Sequence, residues 1–387
     1  MTDTEIFNRF IYPRYGTPLD RRIYAGTPAE RLFDRIEKWA RGLISSAREH
    51  VACLPEIHFD YVYSGVVNAF AFKSEGRYFI GVTTGTLYLL QLVFGRMLAD
   101  SRLFPEIGNP GEEADDLPPL TGYVPDAQRM FEAEIKPIRP RTDPRWLYSC
   151  HLLTQAIHFV VGHELAHISR GHVDYLASKG GPALIAELTS SQDDCDGVFE
   201  MQVMEADADM RMIGSCAQSI ELTLAASNLA QPPWTSSRLE LGALIYDWAF
   251  AMNSLFRLFG DIRFNAPDLR TFTHPPFPLR RAMATAIAYA FLSQKRHDVR
   301  QDAVLKPLRS AMEYSEVAFA TILGEDVSAG GLSDAYQPSG REHHNRLMEC
   351  WHGGLRDRIA PFAYERDPDQ AVDFPPDMPA GDTAQGS

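Results

Sequence analysis

Cysteine is scarce in this 387-residue chain: Cys53, Cys150, Cys195, Cys216 and Cys350 stand far apart. The odd count and the lack of any paired spacing exclude a zinc ribbon and a disulfide framework, and point to reduced thiols in a cytosolic protein. Basic charge is short as well. Lys and Arg number 37 against 51 Asp and Glu, a formal net charge of −14, which argues against a nucleic-acid-binding surface. Long uncharged apolar runs are missing. The most apolar stretches cover 80–98, 152–162 and 243–260. The first carries Gln91 and Arg96, the second is short, and the third carries Asp247, Asn253 and Arg257, so no membrane span is expected. Met1-Thr2-Asp3-Thr4-Glu5 has no basic region followed by an apolar run, so no secretory signal is expected either. The composition that is left, 45% hydrophobic and 23% charged, is that of a soluble globular protein with one large domain or two ordinary ones.

What the chain does have is patterned mostly for helix. Residues 1–28 are mixed and broken by Pro13, Pro18 and Pro28. Leu32, Phe33, Ile36, Trp39, Ala40, Leu43, Ile44 and Ala47 predict an amphipathic helix over 29–51, with Thr27 as N-cap and Pro28 in the first turn. Three β-like runs follow at 56–63, 66–72 and 78–83, separated by Ser64-Gly65 and Lys73-Ser74-Glu75-Gly76, and predict a small antiparallel sheet. A buried helix is expected over 85–98. Residues 100–145 are acidic, turn-rich and proline-rich, an insertion long enough to act as a lid or to be disordered. Further helices are expected at 198–226 (Asp196 as cap), 236–259, 279–294, 304–323 and 341–359. Gly330-Gly331 reads as a linker, and the residues from Pro361 onward as a disordered tail.

The segment before position 169 holds the chemistry. Leu152, Leu153, Ala156, Ile157, Val160 and Val161 recur at helical spacing and run into His163-Glu164-Leu165-Ala166-His167. On a helix, histidines at i and i+4 lie on one face and reach one zinc ion, and the glutamate between them is placed to take a proton from zinc-bound water. Catalytic zinc sites usually have a third protein ligand. Glu205 is the best candidate, and Asp209, one helical turn further on the same face, suits a carboxylate that accepts from the free ring N–H of a ligating histidine. The bland reading of Glu205, Asp207 and Asp209 is a solvated acidic face. His172 and Asp174 are alternative ligands, though His172 lies about 140° around the helix from His167 and should miss the same metal. His343, His344, Cys350 and His352 suggest either a second metal site or the polar face of a helix.

These residues resemble the gluzincin metallopeptidases of the HtpX and CAAX prenyl endopeptidase kind. Four pieces match in order. Val67-Asn68-Ala69-Phe70-Ala71 with Gly81-Val82-Thr83-Thr84-Gly85 resembles the family's N-A-F-A strand and the strand after it. His163-Glu164-Leu165-Ala166-His167 with His172 resembles its zinc helix. Glu205-Ala206-Asp207-Ala208-Asp209 fits its E-x-x-A-D pattern in the frame that makes Glu205 a ligand. Thr273-His274-Pro275-Pro276 with Arg280 resembles its T-H-P-P-x-x-x-R segment. The short gap between the zinc helix and Glu205 also resembles, more loosely, the phage-exclusion Lit-type peptidases.

The resemblance implies an α+β, mostly helical fold: a zincin-like core with a small antiparallel sheet packed on the H-E-x-x-H helix. It implies a peptidase domain over 1–325 with the insertion at 100–145, and a helical extension and tail over 326–387. It implies one Zn²⁺ per chain on His163, His167 and Glu205, with Asp209 behind the ligands. Glu164 would be general base for hydrolysis of intracellular proteins or peptides, and His274 or Arg280 would donate to the oxyanion. Asn68, Ala69 and Phe70 would pair with substrate backbone as an exposed strand edge. A cytoplasmic endopeptidase is the expectation. The alternatives are a regulatory, toxin or phage-defence protease dedicated to one partner, and a non-catalytic metal-binding module, which would have no use for a base at Glu164.

Overall fold

A computed structural model describes residues 1–120, 137–180, 184–186, 195–226, 234, 240–259, 269, 272–295, 300–328 and 330–365. The first helix is announced by the first residues. Thr2 Oγ1 accepts from the Glu5 N–H at 3.2 Å, and the Glu5 carboxylate accepts from the Thr2 N–H at 2.8 Å. This capping box starts α1, Asp3–Ile11, inside a segment whose sequence reads as mixed. Helix α2, Pro28–His50, starts as expected, with Thr27 Oγ1 accepting from the Glu30 N–H at 3.3 Å.

The strands are β1, Thr17–Pro18; β2, Ile57–Tyr63; β3, Ala69–Ser74; β4, Arg77–Thr83; and β5, Leu184–Ala186, in the order β1-β2-β4-β3-β5. The sheet is mixed, where an antiparallel one was expected, because β2 lies parallel to β4. The cause is local. Glu75 and Gly76, at φ 52° and 77°, make a tight hairpin turn that pairs β3 with β4. β2 is left to join the far side of β4. Residues 64–68 cross over the end of β4 and are tied there: the Gly85 N–H donates to Ser64 O at 2.8 Å, and Thr83 Oγ1 donates to Val66 O at 2.6 Å. A Cβ at Gly85 would stand 2.5 Å from Gly65 O, so this crossing requires glycine. Along β3, Phe70 and Phe72 face α1 in one apolar cluster while Ala69 and Ala71 face the main core, the alternation of a strand with both faces covered.

Helix α3, Thr84–Leu98, continues β4 without a break. The central helix, α4, Asp143–Ser169, packs against α2, α3, β3 and β4. Its C-terminal half is buried on nearly all sides, as a helix at the middle of a domain must be. Arg145, fully buried near its start, donates to Leu98 O at 2.6 Å, Asp100 O at 3.0 Å, Leu103 O at 2.8 Å, Phe104 O at 2.8 Å and Ile107 O at 3.0 Å. Glu113 accepts from the N–H groups of Arg141 and Thr142 at 2.8 and 3.0 Å, a carboxylate at a helix N-terminus. The described start of the insertion is therefore a bracket on the far end of α4, about 27 Å from His163 at 1.5 Å rise per residue. Glu112 and Glu113 are engaged there, and Asp115 and Asp116 are exposed. The rest of the expected lid, 121–136, lies outside the described residues.

After α4 come α5, His172–Ser178; α6, Cys195–Ala225; α7, Leu241–Phe259; α8, Phe277–Lys295; and α9, Gln301–Leu323. α6 and α7 pack on α4, and α8 packs on α6 and α7. α6 begins before Asp196, so that residue lies within the helix rather than capping it. Gly330 and Gly331, expected as a linker, open α10, Gly330–Tyr336. The helix expected over 341–359 is divided into α11, Pro338–Cys350, a π-turn with Gly354 at φ 127°, and α12, Arg356–Ile359. The tail is docked as far as residue 365. The N–H groups of Tyr364 and Glu365 donate to Ser169 O at 2.9 and 3.0 Å, and Glu365 pairs with Arg211 at 2.7 Å. The remainder, from 366, lies outside the described residues. Among the described residues no helix is long and apolar enough to cross a membrane.

Candidate metal centre

Three donors converge where α4 meets α6. His163 Nε2 and His167 Nε2 are 3.0 Å apart; Glu205 Oε2 is 3.1 Å from the first and Glu205 Oε1 is 3.3 Å from the second. All three residues are buried, and among the described residues this is the group of His, Cys, Asp and Glu side chains placed to hold an ion. Tetrahedral zinc bonded to nitrogen and oxygen at 2.0–2.1 Å sets neighbouring ligand atoms about 3.3 Å apart, so the donor set fits that ion in spacing as well as in chemistry. The helix repeat places the histidines one turn apart, and α6 brings Glu205 across from the side.

The protonation states suit a cation. Burial pushes His167 down to about 4 against the attraction of Glu205, so the ring is neutral, the form that ligates. Burial works against an ionised Glu205, but the two histidines overcome it and hold the carboxyl well below its usual range. Glu164, the next residue after His163, is buried at 1% exposure.

Behind the donors stands a further carboxylate, Asp209. His163 Nδ1 lies 2.9 Å from Asp209 Oδ1. Both Asp209 oxygens accept from Arg280, from Nε and from Nη2, each at 2.8 Å. Arg280 Nη2 is 3.9 Å from Glu205 Oε2, and its guanidinium lies over the rings of Phe256 and Phe277. Burial opposes ionisation of Asp209, and Arg280 and His163 reverse it. Two of the donors of Arg280, expected to serve the oxyanion, are thus committed to Asp209, deep in the core.

His274 heads the loop into α8. It is buried with its ring against Phe277 at 4.5 Å between centroids, and Nδ1 lies 3.1 Å from Pro275 O. Gln202, from α6, donates to Leu269 O at 2.9 Å and Phe272 O at 2.6 Å and so pins the chain before that loop.

Asn68, Ala69 and Phe70 do not form the expected open edge. β3 is interior, with Phe70, Ala71 and Phe72 paired to Ala186, Ile185 and Leu184 of β5. The Asn68 N–H donates to Thr86 Oγ1 at 2.9 Å and Asn68 O accepts from the Thr83 N–H at 3.1 Å, while the Phe70 ring packs toward α1 and Tyr15. Periodicity cannot foresee this, because β5 arrives from more than a hundred residues downstream.

His172 is the residue whose placement the sequence missed. Its expected position assumed one continuous helix. Instead α4 stops at Ser169, Gly171 turns left-handed at φ 81°, and the His172 ring returns to place Nδ1 3.0 Å from His167 Nδ1. A Cβ at Gly171 would also meet the Phe362 backbone at 2.5 Å. Asp174 is used elsewhere, accepting from Tyr78 at 2.7 Å and Lys73 at 2.5 Å. His343 and His344 are buried, and His343 bonds Gln202 at 2.7 Å, which makes it part of the core.

Residues 31–192 match the model of peptidase family M48, a family of gluzincin metallopeptidases. No curated protein and no solved structure matches the chain. The matched span holds β2 to β5 and the H-E-x-x-H helix. Glu205, Asp209, His274 and Arg280 lie beyond it, and the fold itself carries Glu205, Asp209 and Arg280 to His163 and His167. The family match and the His163–His167–Glu205 cluster together make the chain a metallopeptidase of the gluzincin type.

Proposed function

Starting from a gluzincin-type metallopeptidase, we propose that the chain is a zinc-dependent endopeptidase of protein or peptide substrates, with one zinc held by His163, His167 and Glu205 and with Glu164 as general base. The observation that carries the reading is the mutual spacing of the three buried donors, 3.0, 3.1 and 3.3 Å. Zinc held there supplies Lewis-acid polarisation of the scissile carbonyl and lowers the pKa of the attacking water.

The protein's own residues do the rest. Glu164 takes the proton from the attacking water and hands it to the leaving amine nitrogen. Asp209 holds His163 in the tautomer that keeps Nε2 unprotonated, and Arg280 keeps Asp209 ionised in a site where burial alone would neutralise it. The role of Arg280 is thus to position. His274 stays as the candidate donor to the oxyanion.

Glu164→Gln tests the reading. Gln has nearly the same shape but cannot take the proton. The variant should keep its zinc and fold and lose cleavage of an unfolded protein substrate by a factor of 10² or more, on the scale of general-base contributions. Wild-type turnover by Glu164→Gln would remove Glu164 as the base.

A further inference from the structure

We propose that His172 and Asp207, backed by Arg170, form a relay that fixes His167 in its ligating tautomer, and that both are positioning residues of the reaction. The inference rests on the zinc site proposed above. The two histidines have different supports. His163 leans on a carboxylate directly. His167 Nδ1 faces a second imidazole, His172 Nδ1, at 3.0 Å. His172 Nε2 in turn lies 3.1 Å from Asp207 Oδ2, and the Asp207 oxygens accept from Arg170 Nε and Nη2 at 2.8 Å each. Arg170 lies over the Trp351 ring at 5.6 Å. His167 and His172 are fully buried, and Asp207 and Arg170 are nearly so.

Proton counting gives the relay a direction. Two neutral imidazoles meeting through Nδ1 need one donor and one acceptor. Asp207 accepts from Arg170 on both oxygens and faces His172 Nε2 as an acceptor, so the ring proton of His172 belongs on Nε2. His172 then offers a lone pair at Nδ1. That lone pair calls for a proton on His167 Nδ1 and leaves His167 Nε2 bare on the side of His163 and Glu205. In the opposite tautomer of His172 two N–H groups would face each other, and His167 would be driven to carry its proton on Nε2, where it cannot ligate. Such outer supports conventionally come from a carboxylate, carbonyl or water; here an imidazole is interposed. Gly171 makes the relay reachable by ending α4 and returning His172 behind His167. Asp207 lies about 200° around α6 from Glu205, so among the described residues it reaches the centre through His172.

The test uses full-length zinc-free wild type, His172→Phe, Asp207→Asn, the double variant, and Val173→Ala as a control. Val173 is buried beside His172 but is no part of the relay. Zinc affinity is measured by competition with a calibrated chelator well below each unfolding midpoint, and kcat and KM are measured on the zinc-saturated forms. The relay predicts zinc binding 10–100-fold weaker in each single variant. It predicts a double variant no weaker than the worse single, because both changes break one chain, and wild-type affinity in Val173→Ala. At saturating zinc, kcat falls while KM holds. Wild-type zinc affinity in either folded single variant overturns the proposal, as does an equal loss in Val173→Ala. If His172→Phe does not fold, Asp207→Asn against Val173→Ala decides alone. A wild type that takes up no zinc defeats the underlying zinc reading instead, and the two failures are told apart by that.

Discussion

Arg280→Met is the perturbation that most directly probes the burial of charge around the metal centre. The guanidinium of Arg280 is fully buried, gives two bonds of 2.8 Å to Asp209, and lies 4.8 Å from the centre of the Phe256 ring. Methionine fills much of the same volume and leaves Asp209 a buried carboxylate without its partner. Breaking a buried pair from one side costs about 3–5 kcal/mol, whereas replacing both partners by apolar residues is often close to neutral. Urea unfolding of the zinc-free proteins should therefore place Arg280→Met about 3–5 kcal/mol below wild type, and Arg280→Met/Asp209→Leu within about 1–2 kcal/mol of it. The double variant should still bind zinc 10–100-fold more weakly, because His163 has lost its carboxylate. The pH dependence has a definite sign. Burial raises the Asp209 pKa, but Arg280 and His163 bring it below the usual 3.8. A depressed carboxylate contributes stability in full above the unfolded pKa and loses it as pH falls through the folded one. The gap between wild type and Arg280→Met should thus be widest near neutrality and narrow as pH drops below about 3.8. A single variant as stable as wild type, or a double variant as unstable as the single, would refute the reasoning.

Arg145→Met removes donors from five buried carbonyls. At about 1–3 kcal/mol for each unsatisfied group, the loss is comparable to a whole domain's stability, so circular dichroism should show little folded protein. A well-folded variant with the wild-type midpoint contradicts the bracket drawn for residues 100–113. In zinc-free protein, Asp207, held to about 2, should contribute about 2 kcal/mol above pH 4 that fades toward pH 2. The difference in unfolding free energy between wild type and Asp207→Asn, followed across that range, checks it, and a flat difference speaks against the Asp207 pairings.

The legible parts of this molecule were the ones a single helix encodes. His163 and His167 are one turn apart, and Glu205 and Asp209 repeat the same interval on α6, so both halves of the centre could be read before the fold was known. Thr27-Pro28 likewise marked the start of α2, and Thr2-Asp3-Thr4-Glu5 carried a capping box that could have marked α1. The parts that were not legible depend on where distant segments meet. Strand periodicity shows which residues face the core but not which strand lies next to which, so neither the parallel pairing of β2 with β4 nor the cover of β5 over β3 could be read. Arg280 resembled a residue aimed at substrate, and only tertiary packing turned it toward Asp209. Nothing local marks Arg145 as buried; the chain of 98–107 wraps around it from outside its own helix. His172 was placed by assuming a straight helix through Gly171, a residue whose left-handed turn ends that helix. The wrong angle concealed the contact with His167, and with it the part Asp207 plays.

The central claim is that His163, His167 and Glu205 jointly hold one zinc. Elemental analysis of the purified full-length protein, alongside His163→Ala/His167→Ala and Glu205→Ala, tests it most directly. The account predicts about one zinc per chain in the wild type, none in the double histidine variant, and a greatly weakened hold in Glu205→Ala. Full zinc retention in folded His163→Ala/His167→Ala protein would contradict it.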